Sequence, residues 1–113
     1  MTHLSRVVVS TASLPRALSF YGDLLGLPSV PAGPGLATLD AGGTSVLLHE
    51  RPSVPSDTAV AASFVVVDLD ALVARWQAAG GAVVDQPATQ PWGERMAVVR
   101  DPDGHLVCLV DAT

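Results

Sequence analysis

The sequence predicts an α+β fold of two βαβββ modules, their mixed sheets forming a cup with the helices outside. Two observations carry this. The order strand, helix and three short strands occurs twice, over about residues 5–50 and 60–111. The connections between the short strands carry Gly, Pro and Asp, residues whose backbone preferences suit tight turns. A four-stranded sheet with one helix leaves its other face uncovered. Two such faces curled together enclose the kind of concave space that small ligands occupy.

The first module opens on Arg6-Val7-Val8-Val9-Ser10, a β-branched run suited to a strand. Ser13 is a fair N-cap, and Pro15 is tolerated in a first helical turn. Leu14, Ala17, Leu18, Tyr21 and Leu25 then recur at helical spacing, so a helix is expected over about residues 14–26, ended by Gly26. Strands follow around Ser29–Pro31, Leu36–Leu39 and Thr44–His49, with Gly42-Gly43 as a hairpin signal between the last two. Arg51–Thr58, with two Pro, two Ser and an Asp, reads as the linker.

The second module repeats the order. Phe64–Val67 is strand-like, Asp68 is a good N-cap, and Asp70 places negative charge in the first turn where the helix dipole favours it. Leu69, Leu72, Val73 and Trp76 share one helical face, and Gly80-Gly81 stops the helix. Strands are expected at Ala82–Asp85, Arg95–Arg100 and Leu106–Val110, the last two joined by the turn Asp101-Pro102-Asp103-Gly104.

Composition narrows the function. Only 15% of residues are charged against 49% apolar, with a mean hydropathy of +0.41. An average domain carries about 25% charge, so apolar surface is left over and a homodimer is expected. The net charge is −5 and the six Arg are scattered, so the basic stripe that nucleic acid needs is missing. The longest apolar run, Ala59–Val67, falls far short of the roughly 18 residues of a membrane span. The start Met1-Thr2-His3 lacks the pattern of a signal peptide. The single Cys108 permits neither an internal disulfide nor a cysteine-based zinc site. A cytoplasmic location is the expectation.

Several segments carry a family resemblance. Phe20-Tyr21-Gly22-Asp23-Leu24-Leu25-Gly26-Leu27 resembles the helix end of the vicinal oxygen chelate superfamily, which contains glyoxalase I, extradiol dioxygenases and bleomycin resistance proteins. Asp101-Pro102-Asp103-Gly104-His105, running into an apolar strand, is similar to its C-terminal signature. Pro91-Trp92-Gly93 resembles a segment of the bleomycin-resistance-like branch. The resemblance covers almost the whole chain and implies one glyoxalase-like domain over residues 1–113. Enzymes of the superfamily usually hold a divalent metal through His, Glu or Gln on the first and last strands of each module. Counted along the family pattern, those positions here are Arg6, Leu47, Ala62 and Cys108. Arg has no lone pair to offer, and Leu and Ala have no donor at all. One thiol falls short of the roughly three protein ligands of a catalytic ion. The resemblance therefore implies the branch that binds a drug without transforming it, with no metal, no cofactor and no catalytic residue.

Side-chain alternation along the strands then assigns a pocket wall. Arg6, Val8, Ser45, Leu47 and His49 of the first module are expected to face the cup. So are Ala62, Phe64, Val66, Leu106, Cys108 and Val110 of the second. Their alternates Val7, Val9, Val46, Leu48, Val65, Val67, Val107 and Leu109 are expected under the helices. Trp92, in a loop between Pro91 and Gly93, offers a flat surface for stacking a planar ligand, or else it covers the core or an interface. Met96 joins this ligand-binding set, as does Glu94, although in an extended segment Glu94 and Arg95 point to opposite faces and either could meet the pocket. Trp76 reads as core, Tyr21 as a packed helix residue, and His3 and His105 as solvated strand-end residues. A counter-charge for Arg6 would be Glu50 or Glu94.

Three functions are consistent with these residues. The first is metal-independent binding or sequestration of a small, largely apolar or aromatic organic molecule, as in antibiotic resistance. The second is an enzyme: a metal-free lyase or isomerase using Arg6, His49, Glu94 or Cys108, or a metal-dependent glyoxalase-like enzyme. The third is a structural or regulatory dimer whose pocket is filled by its own side chains. Turnover separates the first two, and a ligand-dependent rise in melting temperature separates the first from the third.

Overall fold

A computed structural model describes residues 2–112. The chain divides into two compact units, Met1–Ser53 and Val54–Thr113. Among the described residues, no helix is long and apolar enough to cross a membrane.

In the first unit, β1 (Arg6–Thr11) leads through α1 (Leu14–Leu18) to β2 (Ser29–Gly33), β3 (Leu36–Asp40) and β4 (Ser45–Glu50). The sheet runs β1-β4-β3-β2, with β1 parallel to β4 and the other pairs antiparallel. The parallel pair forces a crossover, and α1 supplies it. Val46 and Leu48, with Ala37 and Leu39 of the neighbouring strand, are buried, whereas Leu47 and His49 are half-buried. That alternation places one face of the sheet in the core. Ser13 caps α1, its Oγ accepting from the Arg16 N–H at 3.4 Å, and Pro15 stands in the first turn as expected. The Glu50 carboxylate accepts from the Leu14 N–H at 2.7 Å, satisfying another orphan donor of the helix start.

The helix expected over 14–26 is regular α only to Leu18, and Ser19–Leu24 continue as a π-helix. The Leu25 N–H donates to the Phe20 carbonyl, one residue farther back than in an α-helix, at 2.9 Å. The wider turn carries Phe20 and Tyr21 into the core together, and both are buried.

In the second unit, β5 (Ala62–Val66) leads through α2 (Leu69–Ala78) to β6 (Val83–Thr89), β7 (Arg95–Arg100) and β8 (Leu106–Asp111). The order β5-β8-β7-β6 repeats the first sheet. Asp68 caps α2 from a left-handed backbone, its carboxylate accepting from the Ala71 N–H. Leu69, Leu72, Val73 and Trp76 are buried on the face that α2 turns to β6, β7 and β8. The Trp76 indole N–H donates to the Arg100 carbonyl at 2.9 Å, so this core tryptophan satisfies its one polar atom.

Strand β5 overturns one expectation. Its register with β8 pairs Ala62 with Val107, Phe64 with Leu109 and Val66 with Asp111. Paired residues of adjacent strands share a face, and Val107 and Leu109 are fully buried beneath α2. Ala62, Phe64 and Val66 therefore lie on the helix side, not on the ligand side. Val66 is only 8% exposed, while Val65 and Val67, expected under the helix, are 73% and 84% exposed. The N-caps fix the equivalence of the two first strands. Arg6 lies seven residues before the cap Ser13, and seven residues before the cap Asp68 is Ala61. The position equivalent to Arg6 is thus Ala61 rather than Ala62.

Candidate functional site

Strands β6 and β7 form a hairpin that carries the candidate cleft. The connection is Gln90-Pro91-Trp92-Gly93-Glu94. The Gly93 N–H donates to the Gln90 carbonyl at 2.9 Å and the Gln90 N–H to the Glu94 carbonyl at 2.7 Å. Pro91 presets the turn, and Gly93 adopts φ +103, which an L side chain resists. This geometry holds Trp92 at the tip, 65% exposed, with its indole N–H donating to the Glu94 carboxylate at 2.6 Å.

Beside it lies a cleft of about 520 Å³ lined by Val84, Asp85, Gln86, Ala88, Gln90, Trp92, Met96, Ala97 and Val98. Cross-strand pairs set its floor: Asp85 lies opposite Val98, and Ala88 opposite Met96. Val98 in turn pairs with Cys108, so the thiol stands on the same sheet face one strand away, half-buried. The bulges in the β6 ladder break strict alternation and bring Val84, Asp85 and Gln86 to one rim.

Neither Glu94 nor Arg95 is among the residues lining the cleft, and the two side chains are held apart. Arg95 turns to the helix side and forms an ion pair with Asp70 in the first turn of α2, at 2.8 Å. The hydrogen bond from Arg95 holds the Asp70 carboxyl below its ordinary range, and the same bond raises the guanidinium. Glu94 is left on the side of Trp92. Arg100 is occupied in the same way, bonding both carboxylate oxygens of Asp57 and the Gly104 carbonyl.

Of the residues anticipated from the sequence, Trp92 and Met96 line the cleft, Glu94 accepts from the Trp92 indole, and Cys108 stands one strand away beside Val98. Arg6, Leu47 and His49 lie on the first unit's sheet, with Arg6 paired to Ser45 and Val8 to Leu47 across the parallel ladder. Glu50 is not the counter-charge of Arg6, because its carboxylate caps α1. The lining residues Asp85, Gln86 and Gln90 were not anticipated. The bulges around Asp85 and Gln86 leave no mark in a segment that lacks apolar alternation, and Gln90 is placed by the turn.

The metal positions of the family resemblance can be tested against these strands. Arg6 and Leu47 share a face of the first sheet, and Cys108 pairs with Ser63, two residues after Ala61. Arg, Leu and Ala supply no donor, so this set does not fit a divalent ion. A different group, Asp101, Asp103 and His105, brings ligand atoms within 4.8 Å of one another. It lies in the β7–β8 turn, where Asp101 Oδ1 already accepts from the N–H groups of Asp103 and His105, both at 2.9 Å.

Comparison with known proteins agrees with the architecture. Residues 3–109 match the family model described as the Glyoxalase/Bleomycin resistance protein/Dioxygenase superfamily. A protein of Mycobacterium tuberculosis named as a candidate glyoxylase, CFP32, is 38% identical over 97 residues. The match covers 80% of this chain, and the chain spans only 36% of that relative's length. The crystal structure of a glyoxalase-related enzyme from Fulvimarina pelagi is similar with a TM-score of 0.84 at 21% identity, over 98% of this chain and 88% of that one. TioX from Micromonospora sp. ML1 is similar with a TM-score of 0.73 at 26% identity, over 99% and 100% of the two chains. With the repeated modules, this match over nearly its full length places the chain in the glyoxalase/bleomycin resistance protein/dioxygenase superfamily.

Proposed function

We propose that this protein binds a small, largely apolar or aromatic organic molecule in the β6–β7 cleft without a metal, and acts by sequestering it, as in resistance to a natural-product antibiotic. The observation that carries the reading is Trp92. An indole held at a hairpin tip beside a cleft floored by Met96 and Val98 leaves most of its surface uncovered in its own unit. Stacking a planar ring there would remove apolar surface from water on both partners. A glyoxylase-type reaction, which relatives' names carry, would need metal donors where this chain has Arg6, Leu47, Ala61 and Cys108. The reading includes a homodimer, supported by the low charged fraction of the chain. Native mass spectrometry of the untagged protein from its own host tests it. A retained organic molecule with no stoichiometric metal is the expected result; a stoichiometric divalent ion would overturn the metal-free reading.

A further inference from the structure

The charge of the chain is divided unequally. The first unit holds Arg6, Arg16 and Arg51 against Asp23, Asp40 and Glu50, and is formally neutral. The second holds three Arg against eight acidic residues, so the whole net charge of −5 resides there. Its three Arg are also kept from the cleft. Arg95 is tied to Asp70 and Arg100 to Asp57. Arg75 stands in the last turn of α2, on the helix that covers the other side of the sheet. Among the described residues lining the cleft, the only ionisable group is the Asp85 carboxylate. A second carboxylate, Glu94, sits against the edge of Trp92 as hydrogen-bond acceptor of the indole N–H.

From this arrangement we infer that the cleft selects a planar cation: an aromatic ring system bearing a protonated amine or equivalent positive charge, and that it rejects anionic aromatics. The inference rests on the binding reading above and adds the charge of the ligand. Three effects act in the same direction. The face of an indole attracts a cation through its quadrupole, and a carboxylate accepting from the indole N–H adds electron density to that ring. Asp85 supplies a direct counter-charge at the rim. The excess of acidic groups over the unit raises the local concentration of cations and repels anions before contact. Gln86 and Gln90 complete the polar rim with amides that accept as readily as they donate.

The test uses three probes of one shape, 1-naphthylmethylammonium, 1-naphthalenemethanol and 1-naphthoate, titrated into the ¹⁵N-labelled full chain. The protein has two tryptophans and hence two indole N–H signals. Trp76 is buried and bonded to the Arg100 carbonyl, while Trp92 is exposed and bonded to Glu94, so the second signal reports the cleft and the first is an internal control. The ammonium is expected to move the Trp92 signal and to bind about fivefold to tenfold more tightly than the alcohol, with the naphthoate weakest. The advantage should shrink as salt is raised. The double variant Asp85→Asn, Glu94→Gln keeps an acceptor for the indole but removes both charges, and should bring ammonium and alcohol within about twofold of each other. If alcohol and ammonium bind equally, or the naphthoate binds best, the charge selectivity is wrong while the cleft still binds aromatics. If none of the three moves the Trp92 signal, the binding reading itself fails and the selectivity with it.

Discussion

Truncating two adjacent valines of β5 measures which face of the strand is buried. Val66 is 8% exposed and Val65 is 73% exposed. In Val66→Ala, two nearly buried methyl groups are lost, about 1.6 kcal/mol at ~0.8 kcal/mol each. The residual cavity brings the cost to about 2–2.5 kcal/mol. In Val65→Ala the same atoms leave a site where only about a quarter of the residue is covered, so the transfer loss is about 0.4 kcal/mol. Lost strand propensity adds a few tenths of a kcal/mol, roughly equally in both variants. The difference between the two therefore isolates the face, at about 1.5–2 kcal/mol. Urea unfolding followed by far-ultraviolet circular dichroism resolves this. With a slope of about 1–3 kcal/mol per molar urea, the midpoints should differ by roughly 1 M. Equal losses, or a larger loss in Val65→Ala, would refute the register of β5 against β8 and restore Phe64 and Val66 to the ligand face.

Four further outcomes are expected. Trp92→Ala should weaken binding of the retained molecule by about 1–3 kcal/mol and scarcely move the urea midpoint; an unfolded variant or unchanged binding would make Trp92 a core or interface residue. Gly104→Ala places a Cβ 3.5 Å from the Pro55 ring at φ +89, and should cost about 1–2 kcal/mol of stability from the left-handed backbone alone, read by thermal unfolding. The carboxyls of Asp57 and Asp70 are held below their ordinary value of 3.8 by hydrogen bonds from Arg100 and Arg95. The unfolded chain then binds more protons, so this stabilisation is present above that pH and is lost as pH falls through the lower folded values; Asp57→Asn should show a shallower acid decline than the wild type, and identical acid profiles would contradict the pairing. Light scattering at micromolar concentration should give about twice the chain mass of 11.6 kDa, and the single-chain mass would refute the dimer.

The repeat, the helix starts and all eight strands were legible because each is marked by local chemistry: β-branched runs, the caps Ser13 and Asp68, and turns with Pro and Gly. The inward face of β4 was legible for a different reason, since alternation fixes Val46 and Leu48 once Leu47 is placed. Strand β5 had no such anchor. Ala59–Val67 is apolar on both faces apart from Ser63, so a slip of one residue costs nothing in the pattern and inverts every side chain. The signal that corrects it was present in the equivalence of the two N-caps, each seven residues after its strand position. The π-turn at Ser19–Leu24 could not be read, because the spacing of Phe20, Tyr21 and Leu25 serves an α-helix equally well. Nor could the partner of Arg95, which depends on α2 lying across the sheet.

The second unit uses one turn twice, and the difference between the copies bears on function. In Asp101-Pro102-Asp103-Gly104-His105 the Gly104 N–H donates to the Asp101 carbonyl and the Asp101 N–H to the His105 carbonyl, the same pair of bonds as in Gln90-Pro91-Trp92-Gly93-Glu94. Both have Pro second and a left-handed Gly fourth. In the β7–β8 copy the third residue is Asp103, and Asp101 staples the loop through the N–H groups of Asp103 and His105. That is turn chemistry serving the fold. In the β6–β7 copy the third residue is Trp92, and the first, Gln90, sends its amide to the Ala88 carbonyl instead. The backbone needs no indole there, as the other copy demonstrates, and leaving most of one in water forgoes hydrophobic stabilisation. A side chain that the turn does not require, held beside a cleft by a turn that would form without it, supports the proposal that Trp92 is there to stack on a ligand.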